Sequence, residues 1–80
     1  MKKTLQSLVK SIVPNPKEVS VDEQAENDWL NLTIHAHPDD LKIIIGKRGR
    51  TIRAIRELMK IKAIQEKKRI NINIGEDFKK

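Results

Sequence analysis

A two-layer α+β domain, with three helices covering one face of a three-stranded sheet, is the fold class this 80-residue sequence predicts. Three observations predict it. Three stretches alternate apolar and polar residues, so each strand has one face to bury; three others repeat apolar residues at helical spacing. Their order along the chain, helix, strand, strand, helix, helix, strand, leaves one core and one set of layers.

The first helical stripe is Leu5, Leu8, Val9, Ile12 and Val13, which places a helix over about 3–13 and lets Pro14 and Pro16 end it. Residues 17–24 then alternate, with Val19 and Val21 on one side and Glu18, Ser20 and Asp22 on the other. Ala25-Glu26-Asn27-Asp28 supplies turn chemistry. In the next strand Leu30, Leu32, Ile34 and Ala36 oppose Asn31, Thr33, His35 and His37. Pro38-Asp39-Asp40 stops that strand and offers a carboxylate cap to a short helix over about 40–45. A longer helix runs from Arg50 to about Glu66 and closes on Lys67-Lys68-Arg69, cations at the end where the helix dipole favours them. Ile70-Asn71-Ile72-Asn73-Ile74 is an alternating strand that ends at Gly75, and Phe78-Lys79-Lys80 reads as a frayed tail. The expectation is one domain over 1–80: an α-β extension over about 3–24, a β-α-α-β core over about 29–75, and a tail over 76–80.

Composition narrows the function. With no cysteine, disulfides and cysteine-based metal sites are excluded, which fits a reducing, cytoplasmic setting. No window approaches the roughly 20 apolar residues that span a bilayer, so no membrane role is expected. The net charge of +6 is unevenly placed: residues 1–40 carry 4 basic and 7 acidic side chains (−3), residues 41–80 carry 13 and 4 (+9). A polyanion partner suits the second half, although a solvated, solubility-promoting surface has the same composition.

The distinguishing stretch is Ile43-Ile44-Ile45-Gly46-Lys47-Arg48-Gly49-Arg50-Thr51-Ile52. Two glycines bracket two cations, giving a short loop whose backbone can approach a phosphate because glycine carries no Cβ. The helix that follows presents its amide-rich start to an anion. This pattern resembles the I-G-x-x-G-x-x-I core of KH domains, single-strand nucleic-acid binding modules, and the element order resembles that of the bacterial, type II KH topology (α-β-β-α-α-β). The likeness covers about 3–75 and is to the small bacterial stand-alone type.

The resemblance implies a cytoplasmic single-stranded RNA binder, an RNA chaperone or post-transcriptional regulator. It also implies a homodimer, or a heterodimer with a larger KH-containing protein, and a link to cell-shape and envelope homeostasis. Gly46, Lys47, Arg48 and Gly49 would clamp the sugar-phosphate backbone, with Arg50 and Arg53 extending the basic series. Ile44, Ile45 and Ile52 are the candidates to line the base groove; some of them are core instead, and Ile45 and Ile52 are shared between lining and packing. Arg53, Arg56 and Lys60 share one helical stripe that either tracks a longer backbone or is an ordinary solvated face.

On the long helix Ile52, Ala54, Ile55, Leu58, Met59, Ile61 and Ala63 span about 200°, wider than a helix on a sheet needs. The surplus implies a subunit interface or a helix sunk deeper in the core. Trp29 offers a ring that could stack on a base, as aromatics do in other single-strand binders, but at a strand start beyond an acidic turn it reads as a packing residue. His35 and His37 share a strand face without a third ligand, so neither metal nor cofactor is expected. No catalytic set appears, and Gly46-Lys47 followed by Arg48 is not a nucleotide-hydrolysing P-loop. The alternatives are a protein-interaction module on the same fold, or a single-stranded DNA or ribosome-associated binder.

Overall fold

The central strand is β2 (Trp29–His35), and the remaining elements are placed by it. The computed structural model describes residues 1–75; the tail expected over 76–80 lies outside the described residues. On one side β1 (Ser20–Glu26) pairs antiparallel with β2, Val21 opposite Ile34; on the other β3 (Arg69–Ile74) pairs parallel, Leu32 opposite Ile72. A parallel partner needs a crossover. Helices α2 (Pro38–Ile45) and α3 (Arg50–Gln65) form it, and α1 (Lys2–Lys10) packs against β1. Inward residues of all three strands, Val21, Leu32, Ile34 and Ile72, meet Leu5, Val9, Leu41, Ile44, Ile52, Ile55 and Met59 of the helices in one buried cluster. The three helices therefore lie on one face, as the alternation requires, and the architecture is a two-layer domain on a mixed three-stranded sheet, in the expected element order.

Several boundaries differ from the sequence expectation, each for a local reason. Helix α1 ends at Lys10 rather than 13, and Val13 still reaches the core from the segment that follows. Pro16 opens a 3₁₀ turn over Pro16–Glu18, so β1 begins at Ser20 rather than 17. The turn after it is tighter than four residues: Glu26 pairs with Trp29, leaving Asn27-Asp28, and Asn27 takes φ 58°. Asparagine tolerates that left-handed conformation better than most side chains.

Helix α2 starts two residues earlier than expected. Pro38 occupies its first turn with φ already set for a helix, and the cap is His37, whose Nδ1 accepts from the Asp39 amide at 3.1 Å. The expected capping role of Asp39 and Asp40 is therefore corrected. Asp40 is instead buried, and its carboxylate accepts from the Asn15 amide at 3.0 Å and from Asn15 Nδ2 at 3.2 Å. That pair of bonds fastens the α1–β1 connection to α2.

Helix α3 closes without glycine. Lys67 adopts φ 57°, its amide donating to the Ile64 carbonyl at 3.0 Å and that of Lys68 to Ala63 at 2.8 Å, a Schellman closure that turns the chain directly into β3.

Candidate nucleic-acid interface

Between α2 and α3 the chain makes one 3₁₀ turn over Lys47–Gly49, and its geometry follows from the glycines. Gly46 sits at φ 78°, ψ 173°, a region that is essentially glycine's alone, and lies against the first turn of α3 at Thr51. Gly49 sits at φ 73°, ψ 17° and forms the start of α3. Between them Arg48 is itself left-handed at φ 58°, ψ 27°, a conformation uncommon for its type, imposed by the tight reversal on either side.

The result is an exposed basic tip mounted on a helix start. Lys47 and Arg48 are both exposed, and among the described residues neither they nor Arg50 and Arg53 have a carboxylate within ion-pair distance. Among the described residues no side chain caps the start of α3, and its first turn holds no acidic residue. The free amides and the positive end of the dipole are thus left beside four unneutralised cations, which suits an anion.

The three aliphatic groove candidates divide. Ile44 is fully buried and Ile52 nearly so, which places both in the core. Ile45 is 38% exposed and is the one that reaches the surface beside the loop. Their separation follows from α2 ending at Ile45, with the buried face of the helix one residue behind it.

A cleft of about 560 Å³ opens elsewhere, between α3 and the outer edge of β3. Its lining is apolar at Ala63, Ile64, Ile70 and Ile72 and basic at Arg56, Lys60, Lys68 and Arg69. Arg56 donates from Nε and Nη2 to the Ile72 carbonyl at 3.2 and 3.1 Å, so the edge strand and helix are bridged by a guanidinium rather than by packing alone.

Trp29 and Arg69 close the end of this cleft beside the C-terminal turn of α3. Trp29 is 39% exposed, with the Arg69 guanidinium 5.9 Å from its ring centroid, which corrects the expectation of a packing residue. A signal for this was present in the sequence. The alternation that turns Leu30, Leu32 and Ile34 inward turns Trp29 and Asn31 outward.

Of the wide apolar arc on α3, Ile52, Ile55, Met59 and Ala63 are buried. Leu58 and Ile61, on the opposite face, are 55% and 57% exposed. The alternative of a helix sunk deeper in the core is thereby excluded. His37 serves as a helix cap and His35 bonds Asp22 at 2.8 Å; among the described residues no three His, Cys, Asp or Glu come together as a metal site.

A glycine-bracketed basic loop joining two helices on a β-α-α-β core defines a KH domain. The sequence model described as KhpA/KhpB, KH domain, matches residues 2–74. Over 74 residues the chain is 32% identical to "RNA-binding protein KhpA" of Halalkalibacterium halodurans, covering 92% of this chain and 97% of that one. It is 38% identical to the protein of the same name in Clostridium acetobutylicum, covering 92% and 99%, and 41% identical to that of Streptomyces coelicolor over 59 residues, covering 74% and 75%. The chain belongs to the KhpA/KhpB KH-domain family, which is not a family of enzymes. Among the described residues no helix is long and apolar enough to cross a membrane.

Proposed function

We propose that this chain binds single-stranded RNA, holding the sugar-phosphate backbone on the Gly46-Lys47-Arg48-Gly49 loop. The observation that carries the reading is the loop itself: two exposed cations, without ion-pair partners among the described residues, held by two glycines at positive φ at the start of α3. The relatives' shared name, RNA-binding protein, supports RNA over other polyanions. In this reading Arg50 and Arg53 follow the backbone away from the loop, and Ile45 is the aliphatic contact beside it. A chaperone or post-transcriptional role in the cytoplasm, and the cell-shape and envelope effects that the resemblance implies, would follow from which RNAs this clamp holds.

The test is the salt dependence of binding to an unstructured oligoribonucleotide, followed by fluorescence anisotropy. A grip on about three phosphates of a single strand gives a log–log slope near −2, hence roughly a twentyfold loss of affinity from 50 to 200 mM salt. A slope near zero contradicts the clamp. The same titration with the matching oligodeoxynucleotide separates RNA from single-stranded DNA as the preferred ligand.

A second reading, pairing through α3, is favoured by Leu58 and Ile61 standing exposed on the face away from the sheet. Apolar residues at that spacing on an outward face suit a two-fold contact with a second KH domain, in a homodimer or with a larger KH-containing protein. Ile61→Glu is expected to convert a light-scattering mass of two chains into one. A wild-type mass of one chain at high micromolar concentration would count against self-pairing.

A further inference from the structure

The geometry points to a nucleobase-stacking subsite on Trp29, at the end of the α3–β3 cleft far from the glycine loop, which extends the bound RNA beyond the nucleotides the loop clamps. The inference rests on the RNA-binding reading above and adds to it a ligand length and a second point of contact. A KH loop holds about four nucleotides of backbone. Here the basic surface does not stop where those would end.

The placement follows from the sheet. Parallel pairing sets Trp29 directly beside Arg69, at the starting ends of β2 and β3. The Schellman turn at Lys67 delivers α3 to that same end, whereas the Gly46–Gly49 loop lies at the opposite end of the helix. From Arg50 to Lys60 the helix rises about 15 Å, and along it Arg53, Arg56 and Lys60 recur at i, i+3 and i+7. A strand leaving the loop along this stripe arrives at Trp29.

The chemistry at the arrival point suits a nucleotide. Trp29 offers a π-face that any base can stack on, with the Arg69 cation 5.9 Å away. Lys60 and Lys68 line the same cleft, and among the described residues none of Lys60, Lys68 and Arg69 has a carboxylate within ion-pair distance. Among the described residues Glu57 is the one acidic residue of that lining, against Arg56, Lys60, Lys68 and Arg69. An aromatic ring with an excess of cations on an open cleft favours a nucleic-acid strand over an acidic or apolar peptide.

Trp29 is the chain's single tryptophan, so its emission reports on this site alone. Oligouridylates of four and ten nucleotides are titrated into the intact chain, with Trp29→Ala, Trp29→Phe and Lys47→Asp/Arg48→Asp variants beside it. The decamer is expected to quench the tryptophan and the tetramer to leave it unchanged. Trp29→Ala is expected to weaken decamer binding about tenfold and tetramer binding little, with Trp29→Phe retaining most of the affinity, since stacking survives.

If Trp29→Ala does not fold, the quenching difference and the phenylalanine variant decide. Unchanged decamer affinity in Trp29→Ala, with binding lost in the loop variant, overturns the subsite and leaves the clamp standing. An equal loss on both lengths overturns it as an extension, placing Trp29 under the clamped nucleotides. Absence of wild-type binding to either length at 50 mM salt overturns the clamp, and the subsite with it.

Discussion

Reversing both loop charges, Lys47→Asp with Arg48→Asp, is expected to raise the Kd for an unstructured oligoribonucleotide at least a hundredfold at 50 mM salt. Two of roughly three phosphate contacts disappear, and two carboxylates now face the backbone those cations held. Each lost contact also removes about 0.7 from the single-strand salt slope, so what binding remains should keep a slope of only about −0.7. The fold should survive. Both side chains are exposed and without ion-pair partners among the described residues, and aspartate is among the residues that tolerate the φ of 58° found at position 48. Anisotropy measures the affinity, and a melting curve superimposable on wild type shows that the binding loss is local. A loss of less than tenfold in a folded variant would sink the loop as the principal clamp.

How far the loop could be seen in the sequence, and the cleft could not, has a physical cause. The loop is local: two glycines three residues apart, the cations between them and the helix that follows are contiguous, and the backbone angles at Gly46 and Gly49 come from residue type. Helix α3 and strand β3 were legible for the same reason, each stating its period over its own length. The cleft is assembled from β2, α3 and β3, and only the parallel pairing of β2 with β3 brings Trp29 to Arg69. The buried Asp40–Asn15 contact joins positions 25 apart in sequence and leaves no periodic trace. Exposure on α3 lay between these cases. The excess width of its apolar arc was readable, but only the packed sheet decides that Met59 is inside and Leu58 outside.

The second large effect separates the two loop glycines, which the spacing alone makes look equivalent. Gly46→Ala is expected to cost about 3 kcal/mol of stability, against about 1 kcal/mol for Gly49→Ala. At Gly49, φ 73° and ψ 17° lie in the left-handed region that an L-residue can enter at a modest price, and an added Cβ meets nothing closer than Ile52 Cγ2 at 4.0 Å. At Gly46 the ψ of 173° moves the residue out of that region altogether. A Cβ there would also stand 2.8 Å from the Thr51 backbone nitrogen, so relief requires moving the first turn of α3, the part that presents its amides to the ligand.

For a domain of this size 3 kcal/mol corresponds to a fall in Tm on the order of 12 °C or more. Whatever fraction stays folded should bind RNA poorly because the helix start has shifted. Gly49→Asn, whose side chain tolerates the left-handed region, should recover most of the small loss at that position. Urea denaturation of the three variants is the measurement. Equal destabilisation by alanine at 46 and 49 would show that Gly46 does not hold the helix start against Thr51, and that the clamp's geometry is set elsewhere.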